Sequence, residues 1–138
     1  MSMFDFQAFA RPDRTVLPPP GFQTGWVRIN DLDETILYST AIWSREEYVE
    51  HWRDAARRLG NNADFAVFCT DLTTDNATVF AGFRSSDCVW FDEWVMPRSA
   101  LTVEGTCITL VAAAARREEG ETSSWQVSID AIRAYAGR

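Results

Sequence analysis

The chain has one histidine, His51, and no lysine: all 13 of its basic residues are arginine. A lone histidine cannot supply the multi-histidine ligand set of a catalytic zinc site, and it leaves a Ser–His or Cys–His pair to an accident of folding. Cysteine is scarce and odd in number. Cys69, Cys88 and Cys107 each sit in an apolar stretch, with no C-x-x-C spacing, so they read as free thiols of a reducing compartment. No apolar run approaches the roughly 20 residues that a membrane-spanning helix needs. The opening MSMFDFQAFARPDR lacks a basic stretch followed by an apolar one, so a secretory signal is not expected. G-x-S-x-G, G-x-G-x-x-G, the Walker loop and H-E-x-x-H are all missing. Together these absences predict a cytoplasmic protein, not an enzyme, with no catalytic residues, cofactor or metal.

What is present is acid. Twenty carboxylates against 13 arginines give a net charge of −7. That balance repels a phosphate backbone and disfavours nucleic-acid binding. It favours a basic partner drawn in by long-range attraction, although acidity also simply keeps a cytosolic protein soluble. At 138 residues and 46% hydrophobic content, the chain suits a single domain, 1–138, that buries roughly 68–70% of its unfolded surface.

Residues 1–22 hold Phe4, Phe6 and Phe9, then Pro12 and Pro18-Pro19-Pro20-Gly21. Proline fixes φ and lacks a donor, which predicts an extended arm rather than a strand or helix. Residues 26–30 and 34–41 read as strands around an acidic turn, Asp31-Leu32-Asp33. In WSREEYVEHWRDAARRL, Ser44 and Glu47 form a capping box, and Tyr48, Trp52, Ala55, Ala56 and Leu59 make one apolar stripe. The spacing predicts a helix over 45–59 that ends at Gly60-Asn61-Asn62. His51 falls at the stripe's edge and is expected to be structural or exposed, with His51→Ala costing no more than about 1 kcal/mol. Trp52 is expected at the centre of the buried stripe.

Residues 64–71, 77–84 and 87–95 read as an antiparallel meander. Residues 106–115 and 123–129 read as a further pair around the acidic turn Glu118-Glu119-Gly120-Glu121. A short C-terminal helix places Ile129, Ile132 and Tyr135 on one face. The fold class is therefore α+β: a twisted, mostly antiparallel sheet with the long helix packed on it.

Strand 87–95 alternates Val89, Phe91 and Val95 with Cys88, Trp90, Asp92 and Trp94. The second set suits either an inner layer covered by the arm or the C-terminal helix, or a partner-binding surface. Asp92 and Glu93, adjacent on a strand, point to opposite faces and cannot share a substrate. The candidate partner-binding set is Asp71, Asp75, Asp87, Asp92 and Glu93 as an acidic patch, with Trp90 as an aromatic anchor.

The succession VRINDLDETILYSTAIW followed by Tyr48, Trp52 and Leu59 resembles the immunity proteins of bacterial contact-dependent growth inhibition systems. That family's pattern is I-N-D with an acidic segment, then W-x4-Y-x3-W on a helix ending in leucine. Arg116 or Arg117, a variable acidic turn, and Ser124-Trp125 before a short amphipathic end continue the likeness over roughly 27–135. Ser-Ser-Trp stands here where the family has Ser-Glu-Trp. The resemblance implies a Whirly-like twisted sheet and a cytosolic antitoxin that neutralises a cognate toxin C-terminal domain, often a nuclease. Two other classes stay open: a Whirly-like single-stranded nucleic-acid-binding module, whose sheet aromatics would stack bases, and, less favoured, a small-ligand enzyme.

Overall fold

A computed structural model describes residues 3–13, 16–111 and 124–137. The elements are β1 (Phe4–Gln7), β2 (Phe22–Ile29), β3 (Leu32–Ser39), α1 (Arg45–Gly60), β4 (Phe65–Leu72), β5 (Asn76–Ser85), β6 (Cys88–Pro97), β7 (Leu101–Glu104), β8 (Cys107–Leu110), β9 (Ser124–Ser128) and α2 (Ile129–Ala136). Every pairing among the described residues is antiparallel, in three sheets: β1-β2-β3, β4-β5-β6-β9 and the hairpin β7-β8. The α+β class read from the sequence holds.

The first sheet corrects two local expectations. The segment at the N-terminus is not all arm, because Phe4–Gln7 pairs with β2. Phe4, Phe6 and Ala8 are buried and alternate with the half-buried Asp5 and Gln7; this is the period-two pattern of a half-buried strand, and the prolines that argued against it begin only at Pro12. The β2–β3 turn is Asn30-Asp31 rather than Asp31-Leu32-Asp33, since Ile29 pairs with Leu32. A two-residue hairpin loop needs positive φ, which asparagine tolerates, and Asn30 has φ 56°. Burying Leu32 holds this register.

Phe4 and Phe6 reach across to the second sheet. Phe4 lies 5.5 Å from Phe68 and 5.4 Å from Phe91, and Phe6 stacks on Phe68 at 5.1 Å. The Phe91 ring lies over Gly82, where a Cβ would come within 2.9 Å of it, so only glycine on β5 lets the ring settle there. Tyr135 of α2 closes the cluster 5.4 Å from Phe4, and Ile129, Ile132 and Tyr135 are the buried residues of that helix.

Helix α1 carries the expected capping box between Ser44 and Glu47. Its last two carbonyls, which have no partner within the helix, are taken by arginines from elsewhere. Arg84 Nη1 donates to Leu59 O at 2.6 Å and Arg133 Nε to Gly60 O at 3.2 Å. The strands expected as one pair near the C-terminus separate. β8 pairs with β7 around Gly105, at φ 60°, whereas β9 pairs with β6 and completes the second sheet. The acidic turn 118–121 lies outside the described residues.

Candidate functional site

β4 is an edge strand of the second sheet, and α1 lies along its free side. The β4–β5 register leaves the N–H and C=O of Cys69 pointing away from β5. The Cys69 N–H donates to His51 Nε2 at 2.8 Å, and Trp52 Nε1–H donates to the Cys69 carbonyl at 2.8 Å. Farther along, the Leu72 N–H donates to Tyr48 Oη, which itself donates to Ser39 O at 2.8 Å. His51 Nδ1 lies 2.7 Å from Thr106 O. Because Nε2 accepts from an amide, the proton sits on Nδ1 and is donated to that carbonyl. The imidazole is thus neutral and fully used, bridging β4 to the β7–β8 turn. Trp43 Nε1–H holds the adjacent Gly105 carbonyl at 2.9 Å.

Burial pushes the His51 pKa down to about 4, against the raising effect of the Thr106 carbonyl. Burial likewise pushes the Cys69 thiol up to about 12, which leaves it protonated and unreactive, and it raises the Tyr48 phenol. His51 is structural, as one of the two sequence expectations held, and 0% exposed. The low cost expected for His51→Ala is corrected: removing the ring orphans a buried N–H and a carbonyl together.

The six residues of the candidate patch do not form one surface. Asp75 lies just before β5 and Asp87 just after it, both exposed, so the length of that strand holds them about 30 Å apart. Asp92 is 1% exposed and shares its sheet face with half-buried Trp90 and Trp94. On this face Phe65 lies 4.9 Å from Phe83, and Phe83 5.8 Å from Trp94, a row of half-buried aromatics. Glu93 is on the opposite face, the one that carries Phe80 and Phe91. Asp71 is also on that face and is half-buried; it accepts the Ser39 N–H at 2.8 Å and so ties β3 to β4. Its carboxyl is raised by burial, with the Ser39 amide working the other way.

One acid was missed. Glu34 stands between buried Leu32 and Ile36 on β3, opposite buried Val27, yet is exposed. Burial and the neighbouring Glu34 carboxylate both raise the Glu93 carboxyl. Glu34 is thus near enough to act on Glu93 electrostatically, and Val95, 75% exposed, lies on the same face as Glu93. The period-two placement of Glu34 among core residues was the available signal. Among the described residues no group of His, Cys, Asp or Glu is arranged to hold a metal ion, and no helix is long and apolar enough to cross a membrane.

A groove of about 530 Å³ runs between β1, β2 and α2, lined by Phe4, Trp26, Arg28, Ala131 and Ala134 among others. Arg11 stacks over Trp26 at 4.3 Å and pairs with Asp33 at 2.8 Å.

No protein-family model matches the chain, and no curated protein matches it in sequence. Among solved structures, a chain of the CdiA-CT/CdiI toxin and immunity complex from Enterobacter cloacae has a similar fold. The TM-score is 0.67 at 13% sequence identity, over 98% of this chain and 97% of that one. At that identity the likeness shows the architecture.

Proposed function

We propose that this chain is an immunity protein of a contact-dependent growth inhibition system, which binds a cognate toxin domain in the cytosol and neutralises it by stoichiometric protein–protein contact. The observation that carries the reading is the likeness in fold, over nearly the whole of both chains, to a chain of a toxin and immunity complex. The sequence resemblance supports it independently, and the reading extends to the Whirly-like sheet which that resemblance implies. A net charge of −7 further favours a basic toxin, most simply a nuclease, whose phosphate-binding surface an acidic protein can occupy.

The toxin contact is assigned to the acids and the aromatic anchor in unequal parts. Glu93, with Glu34 beside it, is the centre of attraction, because two carboxylates held together gain from an arriving cation what they lose by repelling each other. Asp75 and Asp87 act as exposed outliers that steer approach. Trp90 contributes through the aromatic face, whereas buried Asp92 supports that face from within and Asp71 mainly holds β3 against β4.

The second reading, a nucleic-acid-binding module, is favoured by one observation, the row of half-buried Phe65, Phe83 and Trp94 beside Trp90 on a sheet face. The charge opposes it. The test is to look for a large secreted protein encoded in the reading frame upstream, produce its C-terminal region and measure the binding of that region to this chain. Submicromolar, one-to-one binding supports immunity. Binding of single-stranded oligonucleotides with none to the toxin region supports the rival.

A further inference from the structure

Helix α1 carries two stripes of identical spacing. Tyr48, Trp52, Ala55 and Leu59, at i, i+4, i+7 and i+11, form the buried one. Glu46, Glu50, Arg53 and Arg57 repeat that spacing two positions earlier, so they share an arc of about 60° on the opposite, solvent side. Glu46, Glu50 and Arg57 are exposed and Arg53 is half-buried. A groove of about 430 Å³ runs beside this stripe, and Phe9, Arg45 and Val49 line it together with the four charged residues.

The order of these charges is unfavourable within the helix. Like charges stand at i, i+4 in both halves, Glu46 with Glu50 and Arg53 with Arg57, where an acid followed by a base would stabilise it. Asp54 and Arg58, such a pair on the same helix, do meet at 3.3 Å. The macrodipole accounts for Glu46 in the first turn and Arg57 in the last, but it fades within a turn of each end and does not reach Glu50 or Arg53. Among the described residues no ion pair engages any of the four. Phe9 is 59% exposed although Arg45 lies over its ring at 4.3 Å. Arg45 is held there by donating to Tyr38 Oη at 3.1 Å and to Gln23 Oε1 at 2.9 Å. Phe9 and Val49 thus give the groove an apolar floor beside Glu46 and Glu50. The stem of an incoming arginine can lie on that floor while its guanidinium reaches a carboxylate.

We propose that this face of α1 pairs with the same face of a second copy of the chain, antiparallel about a two-fold axis level with His51 and Trp52. Glu46 and Glu50 of each copy receive Arg57 and Arg53 of the other, whose stems enter the groove over Phe9 and Val49. The occupant is a second copy because the order acid, acid, base, base complements itself at all four positions when the helices run antiparallel. Self-complementarity of that kind is the condition an isologous interface must meet. Exposed ion pairs over a small apolar floor make the contact weak and salt-sensitive. Glu34, Asp75, Asp87 and Glu93 do not line the groove, so pairing does not use the acids assigned to the toxin. The proposal does not depend on the immunity reading.

Sedimentation equilibrium of the full chain at increasing concentration tests it. The weight-average mass should rise from 15.6 kDa towards twice that value. Raising the salt from about 20 mM to about 500 mM should weaken the association roughly tenfold or more. Glu50→Arg sets two arginines against each other at the centre of the pair and should weaken association roughly tenfold as well, with the melting temperature unchanged within a few degrees. General repulsion predicts the reverse, because this substitution brings the net charge of −7 closer to zero. Glu50→Arg combined with Arg53→Glu exchanges the signs of the central pair and should restore association. A wild-type chain that stays monomeric up to about 1 mM overturns the proposal. A dimer indifferent to Glu50→Arg overturns it too, by placing the contact elsewhere. A double variant that associates no better than Glu50→Arg overturns the antiparallel register, and the proposal with it.

Discussion

The α1–β4 seam and the Glu34–Glu93 end treat polar groups in opposite ways. Along the seam each polar group of His51, Trp52 and Tyr48 meets a main-chain partner, and all three side chains are buried. At the other end burial, and with it the charge of Glu34, raises the Glu93 carboxyl. A seam of that kind adds stability, whereas like charges side by side subtract from it. Polar groups that lower stability are where binding is to be sought, and substitutions should separate the two regions.

The largest effect is expected at Trp52. Trp52→Ala leaves a cavity at the centre of the aromatic cluster and orphans the Cys69 carbonyl, for a loss of about 3–5 kcal/mol. Against a total of about 5–15 kcal/mol, thermal melts should show a partly molten or insoluble protein. An unchanged melting temperature would remove Trp52 from the core.

His51 comes next. His51→Ala should lose about 2–4 kcal/mol by leaving two buried main-chain groups unpaired. The pH dependence has a definite sign. With the folded pKa near 4 and the unfolded value near 6.5, the unfolded chain takes up the proton first, so acid favours unfolding. This contribution is complete above pH 6.5, declines as pH falls from 6.5 towards 4, and amounts to about 3 kcal/mol in all. Urea melts across that range should show the slope in the wild-type chain and lack this component in His51→Ala.

Gly82→Ala sharpens the comparison from the core side. Its Cβ would press on Phe91 and Val89, for about 1–3 kcal/mol of overpacking, with no direct effect on toxin contact. The smallest stability effect belongs to the acids. Glu93→Gln and Glu34→Gln should leave stability within about 1 kcal/mol, or raise it slightly, and yet slow toxin association at low salt. If either variant melts like His51→Ala, the carboxylates are structural and the contrast between the two regions fails.

Much of the seam was legible in the sequence. Ser44 and Glu47, the stripe Tyr48–Trp52–Leu59 and the end at Gly60 follow from local physics, and α1 carries all of them. The meander β4–β6 and the α2 face were legible for the same reason. What was hidden depends on partners distant in the chain. Nothing local says that His51 will meet Thr106, 55 positions on, or that β9 will prefer β6 to β8. The period-two run at Phe4–Ala8 was visible but outweighed by prolines farther along. The acidic set was the least legible. Alternation says which face an acid occupies, but only topology says that Asp75 and Asp87 end far apart while Glu34 comes near enough to act on Glu93.

The central claim is tested most directly by growth. Cells that produce the C-terminal region of a large secreted protein found in the reading frame upstream should stop dividing. Co-production of this chain should restore growth to the rate of toxin-free cells, while a charge-matched acidic protein of unrelated fold should not. Continued arrest in the presence of well-expressed, folded chain would contradict the account.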